Sequence, residues 1–225
     1  MWAYWNSIPG SGVATLIAKR APDGTASISD FVIATVNGVL GFYASTNTSS
    51  WNLASGSNFG SPSIGSWNHL VVVRSGANVA TFLNGVRQTS GSFGANSLTN
   101  SANNVSVGGD QGSQYFTGYL AGVRLLKGVA AYDPTLTTLT VPTAPFTSTA
   151  NTSLLLNMTN GGIIDNAMMN DLETVGSAQI STAQSKFGGS SVLFNGTTDK
   201  CVGRTSPNLN MGSGDFTVEC WVLVS

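Results

Sequence analysis

The chain has 225 residues, a formal net charge of −1 and only 8% Asp, Glu, Lys and Arg, against roughly 25% in an ordinary soluble domain. Nine Lys and Arg scattered against ten acids form no basic stripe, which excludes a nucleic-acid binder that works by phosphate neutralisation. Strong helix formers are scarce, with Glu only at Glu173 and Glu219, while 41% apolar residues suffice for a substantial core, so the composition predicts an all-β sandwich.

Met1 to Gly10 carries two Trp and a Tyr but no basic stretch and no continuous apolar run, so it does not read as a secretory signal. No apolar run approaches the length of a membrane span, and membrane insertion is not expected. Strands are predicted at Ala14 to Lys19, Phe31 to Val36 and Val39 to Ala44, the last two joined across Asn37-Gly38, a dipeptide suited to the positive φ of a tight hairpin turn. Ser55-Gly56-Ser57-Asn58 reads as a turn cluster. From Trp67 to Gln88 two β-rich runs flank Ser75 to Asn78, and Asn84-Gly85 leads into a third short strand at Val86 to Gln88, which makes a meander. Asn104 to Gly108 and Tyr119 to Leu126 follow, separated by the turn cluster Gly108 to Gly112.

At Val141 to Asn151 two prolines and the loss of any pattern mark a boundary or an extended connection. Beyond it the strands are Ser153 to Met158, the segment Leu172 to Ile180, Ser190 to Phe194, Lys200 to Gly203 and Phe216 to Val224. Both faces of the last one carry large apolar residues, which predicts a central strand covered on each side or one lining a groove. Many short strands without helical periodicity imply two packed antiparallel sheets. Cys201 and Cys220 could form one disulfide, the plainer reading being two buried thiols. The five N-x-Ser/Thr sequences match chance for so much Asn, Ser and Thr and say nothing about secretion.

The hairpin Trp67-Asn68-His69-Leu70-Val71-Val72-Val73-Arg74 followed by Phe82-Leu83-Asn84-Gly85 resembles the mid-domain hairpin of laminin-G-like, concanavalin A-like jelly-roll domains. Lys186 to Asp199 followed by Gly214 to Val222 resembles the opening third of such a domain, and Phe116 to Arg124 its closing strand. The opening third therefore lies at 148–225, after a middle and end at 1–147, a permuted strand order. Met1 to Asn6 aligns with Cys220 to Ser225, as in a window slightly longer than one tandem repeat with a period of about 219 residues. Neither piece can cover its own apolar face, so either the chain closes on itself or tails are exchanged between chains. The Asn/Ser/Thr/Gly-rich, charge-poor version of this fold resembles modules of phage and environmental viral structural proteins.

His69 is the only histidine, so triad chemistry would have to use it, and the resemblance gives it a packing role. A glycosidase of this fold class needs two carboxylates across a groove. Glu219 has only Asp215 nearby, four residues away, and is expected to be a hydrogen-bonded strand residue. The resemblance suggests calcium, held by oxygen ligands at a loop rim, with Asp110 and Asp199 as the positions to test and turn-capping as the competing role. Carbohydrate binding needs an aromatic platform ringed by amides and hydroxyls. Two loops offer it: Asn47, Trp51 and Asn52 in one, Asp110, Gln111, Gln114 and Tyr115 in the other. The expected role is a noncatalytic recognition or assembly module, binding a glycan or cell-surface receptor on a virion or outside the cell. Strand-exchange assembly through the terminal strands and a glycoside hydrolase are the alternatives.

Overall fold

The computed structural model describes residues 1–20, 29–110, 113–158, 172–203 and 207–224. Along the described residues run β1 (Trp2–Trp5), β2 (Val13–Lys19), β3 (Phe31–Val36), β4 (Val39–Ala44), β5 (Ala54–Asn58), β6 (Trp67–Ser75), β7 (Asn78–Leu83), β8 (Val86–Ser92), β9 (Val105–Val107), β10 (Thr117–Lys127), β11 (Thr152–Leu156), β12 (Leu172–Val175), β13 (Gln179–Ser181), β14 (Ser191–Asn195), β15 (Lys200–Gly203) and β16 (Phe216–Val224). A 3-10 turn at Pro207–Leu209 is the only helical element among the described residues.

The strands form two sheets. A nine-stranded sheet has the order β13-β14-β10-β1-β16-β6-β7-β8, with β11 also on β10, and a seven-stranded sheet has the order β12-β15-β9-β2-β3-β4-β5. The two packed sheets make the expected all-β sandwich. Tight turns of the expected kind close the hairpins: Asn37 and Gly38 have φ of 49° and 84°, and Asn84 and Gly85 have 49° and 82°. Strand β16 lies between β6 and β10, its residues Thr217 and Val218 opposite Val73 and Val72 on one side and Leu126 and Leu125 on the other. It is thus a central strand, which is why both of its faces are apolar.

Two local expectations are corrected. Ser55 to Asn58 is not a turn but most of the edge strand β5, paired with Gly41 to Ala44. Its small residues fit because the Tyr43 ring lies over Gly56, where an added Cβ would sit 3.2 Å from the Tyr43 hydroxyl. The segment Leu172 to Ile180 is two strands in different sheets, β12 on β15 and β13 on β14. The chain turns at Gly176 (φ 77°), where a Cβ would fall 2.6 Å from the Asp199 carboxylate.

One apolar layer fills the space between the sheets. It joins Leu16, Phe31, Ile33, Phe42 and Leu70 to Leu154, Val192, Phe194, Cys201, Val218 and Cys220. Cys201 and Cys220 are buried free thiols in this layer, and burial pushes the Cys201 thiol up to about 12. At the layer's rim Lys19 is buried with Asp30 at 3.2 Å and donates to the Ser101 carbonyl at 2.5 Å, which gives the ammonium the partners that burial demands.

The layer also has outer satellites on the nine-stranded sheet. Val71, Val73, Ala80 and Phe82 are covered by Ala130, Tyr132 and Leu139, while Trp2, Ala121, Leu155 and Trp221 are covered by Phe146, Val141 and Phe187. The patternless connection between β10 and β11 therefore has a packing role as a lid over that sheet's outer face.

Gly108 and Gly76 separate backbone strain from steric contact. Both have positive φ, but a Cβ on Gly108 would meet the Phe194 ring, whereas one on Gly76 meets nothing within 4 Å. Gly76→Ala is expected to cost about 1 kcal/mol in urea unfolding and Gly108→Ala more than about 2 kcal/mol. Equal losses would show that the Phe194 contact adds nothing to the strain.

Candidate functional site

Strand β3 puts Phe31, Ile33 and Thr35 on its inner face, and Val32, Ala34 and Val36 on its outer face, so it is apolar on both sides. Its neighbours add Val13 from β2 and Tyr43 from β4 to the outer side. On the nine-stranded sheet such a face has a lid. Here, among the described residues, Trp51, Arg20 and Gln114 stand around it as walls, enclosing a cavity of 210 Å³ with Val13, Val32, Ala34, Val36 and Tyr43 as its floor. The Tyr43 and Trp51 rings lie 5.7 Å apart at 59°. An apolar floor with a few convergent polar groups is the usual make-up of a ligand pocket.

The two loops singled out in the sequence converge on this cavity. Trp51 is half-buried at one side and is held by a tightly tied turn. Asn47 Oδ1 accepts from the amides of Ser49 and Ser50 at 2.8 and 3.0 Å, and Asn52 Oδ1 accepts from the Thr46 amide at 2.9 Å. Asn47 and Asn52 thus fix the loop that presents Trp51 and do not line the cavity. On the other side, the Arg20 guanidinium donates through Nε to Asp110 Oδ2 and through Nη2 to Gln114 Oε1. Asp110 is buried and orients Arg20 from behind, while Gln114 reaches the cavity itself. Tyr115 is half-buried beside β2, paired with Thr15, and packs where Gly109 leaves room for its ring. Gln111 lies outside the described residues. Tyr43 and Arg20 were not singled out in the sequence.

The two carboxylates expected to hold calcium are both engaged by other groups. Asp110 already faces a guanidinium. Asp199, buried in the turn before β15, accepts from the Ser177 amide at 2.6 Å, the Asn195 amide at 3.1 Å and the Thr198 hydroxyl at 3.0 Å, which is the turn-capping role. Among the described residues no three His, Cys, Asp or Glu side chains come together. These donors do not fit a calcium site, which would want several uncommitted oxygens.

Glu219 and His69 lie on the outer side of the nine-stranded sheet, under the lid. Glu219 is fully buried: Oε1 accepts from Arg124 Nε at 2.7 Å and also from Nη2, and Oε2 accepts from the Tyr132 hydroxyl at 2.7 Å. His69 Nε2 stands 3.5 Å from Oε2, longer than a good hydrogen bond. Burial drives the imidazole down to about 4, so it is neutral at pH 7. Burial alone would raise the Glu219 carboxyl, but His69, the Met1 amine and Arg124 together hold it well below the usual carboxylate range. Asp215, the only acid near Glu219 in sequence, accepts from the Gly76 amide instead of facing it across a groove.

Both shifts act in one direction. The unfolded chain takes up a proton on His69 near pH 6.5 and the folded chain only near 4, so stability falls as the pH drops through that window. Glu219 adds a further loss below its ordinary value of 4.5, where the unfolded chain is protonated and the folded one still ionised. Between pH 7 and 4 the His69 contribution is on the order of 3 kcal/mol. Thermal melts over that range should show a falling Tm, and His69→Gln should flatten its upper part. A Tm that is level from pH 7 to 5 in the unaltered chain would contradict this.

Comparison with curated proteins and with solved structures gave no match. A family profile described as the concanavalin A-like lectin/glucanases superfamily, of the laminin G type, matches residues 1–131. That match spans β1 to β10 and includes the hairpin, the cavity floor and both walls. The two-sheet sandwich agrees with it, and the fold is compatible with glycan or receptor binding. By the matched residues and by its architecture, this chain belongs to the concanavalin A-like lectin/glucanase superfamily, as a laminin-G-like domain suited to binding carbohydrate or another ligand.

Proposed function

We propose that the chain is a noncatalytic recognition module, of a virion or an extracellular protein, that binds a neutral glycan in the cavity over β2, β3 and β4. The observation that carries this reading is the convergence of Trp51 and Gln114, from two distant loops, on one apolar sheet face that also bears Tyr43 and Arg20. A sugar ring has an apolar face that stacks on an aromatic ring and hydroxyls that need directional partners. Trp51 and Tyr43 supply the first, and the Gln114 amide and Arg20 guanidinium the second. Because Asp110 neutralises Arg20, the site favours an uncharged sugar over an acidic one.

The noncatalytic part rests on Glu219. It lies in the nine-stranded sheet, away from the cavity, with both oxygens occupied, so it is poorly placed to donate a proton to a glycosidic oxygen. Its role in this reading is structural.

Glycan-array binding is expected to be lost in Trp51→Ala and weakened in Gln114→Ala, with the Tm of each within a few degrees of the unaltered chain because both side chains stand at the surface of the cavity. EDTA should leave binding unchanged. Retention of full affinity in both variants would remove the cavity as the site. Hydrolysis of a glycan that disappears in Glu219→Gln would overturn the noncatalytic assignment.

A further inference from the structure

The side chains around the cavity over β2, β3 and β4 differ in what they can offer a ligand. A guanidinium carries donors alone, an indole carries one donor, and a carboxamide has a donor end and an acceptor end. Here the acceptor end of Gln114 is engaged, because Oε1 accepts from Arg20 Nη2. That contact fixes the amide's orientation, since a guanidinium can face only the oxygen, and the Nε2 hydrogens are what Gln114 has left to give. Arg20 Nε goes to Asp110 Oδ2, which leaves donors at the ends of the guanidinium. Trp51 adds its indole N–H. Among the described residues the Tyr43 hydroxyl is then the one lining side-chain group that can still accept. A sugar hydroxyl both donates and accepts, and on such a rim its own hydrogen has few takers. A carbonyl oxygen only accepts, and it is satisfied there outright. A carboxylate or phosphate also only accepts, but Asp110 already neutralises Arg20, so the cost of desolvating a second anion would go uncompensated.

The floor selects a different group. Ala34 stands between Val32 and Val36 along β3 and faces Gly41 across on β4, so by side-chain size the floor is lowest at Ala34. Thr15 of β2, on its other side, is fully buried and does not line the cavity. A hydroxyl set at that low point would lose its water without gaining a partner, whereas a methyl gains by burial. An acetyl group joins a lone acceptor to a methyl two bonds away. We infer that the sugar taken by this cavity is N-acetylated, a neutral 2-acetamido-2-deoxyhexose whose methyl rests at Ala34 and whose carbonyl oxygen accepts from Gln114 Nε2 and Arg20. This inference rests on the glycan reading above and narrows it. The Tyr43 hydroxyl accepts from the acetamido N–H, and the Tyr43 and Trp51 rings, 5.7 Å apart at 59°, receive the apolar face of the pyranose. A volume of 210 Å³, below the roughly 300–1,000 Å³ of pockets for drug-sized ligands, suits one sugar unit. An acetyl-lysine side chain carries the same acetamide but has no ring face to set against the two aromatic rings, so it is the poorer fit.

NMR titrations of the unaltered chain, followed at the Trp51 indole, test this with methyl glycosides of N-acetylglucosamine and N-acetylgalactosamine, those of glucose and galactose, and a blocked acetyl-lysine tripeptide. At least one acetamido sugar should bind about tenfold or more tighter than its parent hydroxyl sugar. Saturation-transfer spectra should show the acetyl methyl as the most strongly saturated group of that ligand. Ala34→Val raises the low point of the floor and should bring the ratio of the two affinities down to about two or less. Gln114→Glu keeps an acceptor for Arg20 but replaces the donor by a carboxylate oxygen, and it should weaken the acetamido sugar by about tenfold or more. Equal affinities for acetamido and parent sugars, or saturation centred on the ring protons, would overturn this inference while leaving the glycan reading in place. Tighter binding of the acetyl-lysine peptide than of any sugar would overturn it in favour of a peptide ligand. No binding by any of the sugars would overturn both. The comparison of sugars on the unaltered chain decides the matter whether or not either variant folds.

Discussion

Val192 and Phe194 of β14, Cys201 of β15, and Val218 and Cys220 of β16 meet Leu16, Phe31, Phe42 and Leu70 across a single apolar layer. The strands that supply the second group lie before residue 147 and those that supply the first lie after it. Without β11, β14 and β16 the strand β10 keeps only the short β1 as a partner, and without β9 and β2 the strand β15 loses its link to the seven-stranded sheet. Hydrophobic burial over this layer is what makes long-range pairing worth its loop-closure entropy. The turns, the lid and the cavity are all positioned relative to it.

The two outer faces show how one architecture separates structure from recognition. The nine-stranded sheet is roofed by Phe146, Tyr132, Leu139 and Val141, and under that roof lie the buried carboxylate and imidazole that a catalytic reading would have used. The seven-stranded sheet bears an equally apolar outer strip at Val32, Ala34 and Val36, but there the neighbouring loops form walls around it. A chemically suggestive group sits under the roof of one face, and an apolar floor flanked by two aromatic rings lies on the other. Residue type alone does not distinguish them, whereas the described groups that stand over each face do.

Much of the fold was legible because its signals are local. Asn-Gly at two hairpins dictates backbone conformation by itself, and the alternation in β6 and β7 survives in any context. Strand β5 was not legible, since Ala-Ser-Gly-Ser-Asn becomes a strand only by hydrogen bonding to β4 beneath the Tyr43 ring. The same limit applies to the site. Trp51 and Gln114 announced themselves by type and loop context. Tyr43 looks like an ordinary strand residue, and Arg20 like the end of one, until the outer face of β3 is seen to lie between Trp51 and Gln114, and Asp110 looked like a ligand-binding group until its guanidinium partner was in place.

The internal placement of charge has a consequence for encounter. Lys19, Asp30, Arg74, Asp110, Asp199 and Glu219 are all buried, in a chain that has few ionised groups to begin with. What remains outside is mainly a hydroxyl- and amide-rich shell with a few scattered charges of both signs. A visiting molecule is then neither drawn in nor turned away at a distance, and its arrival rate should hardly respond to ionic strength. Such a surface meets its target by unguided diffusion and discriminates on contact.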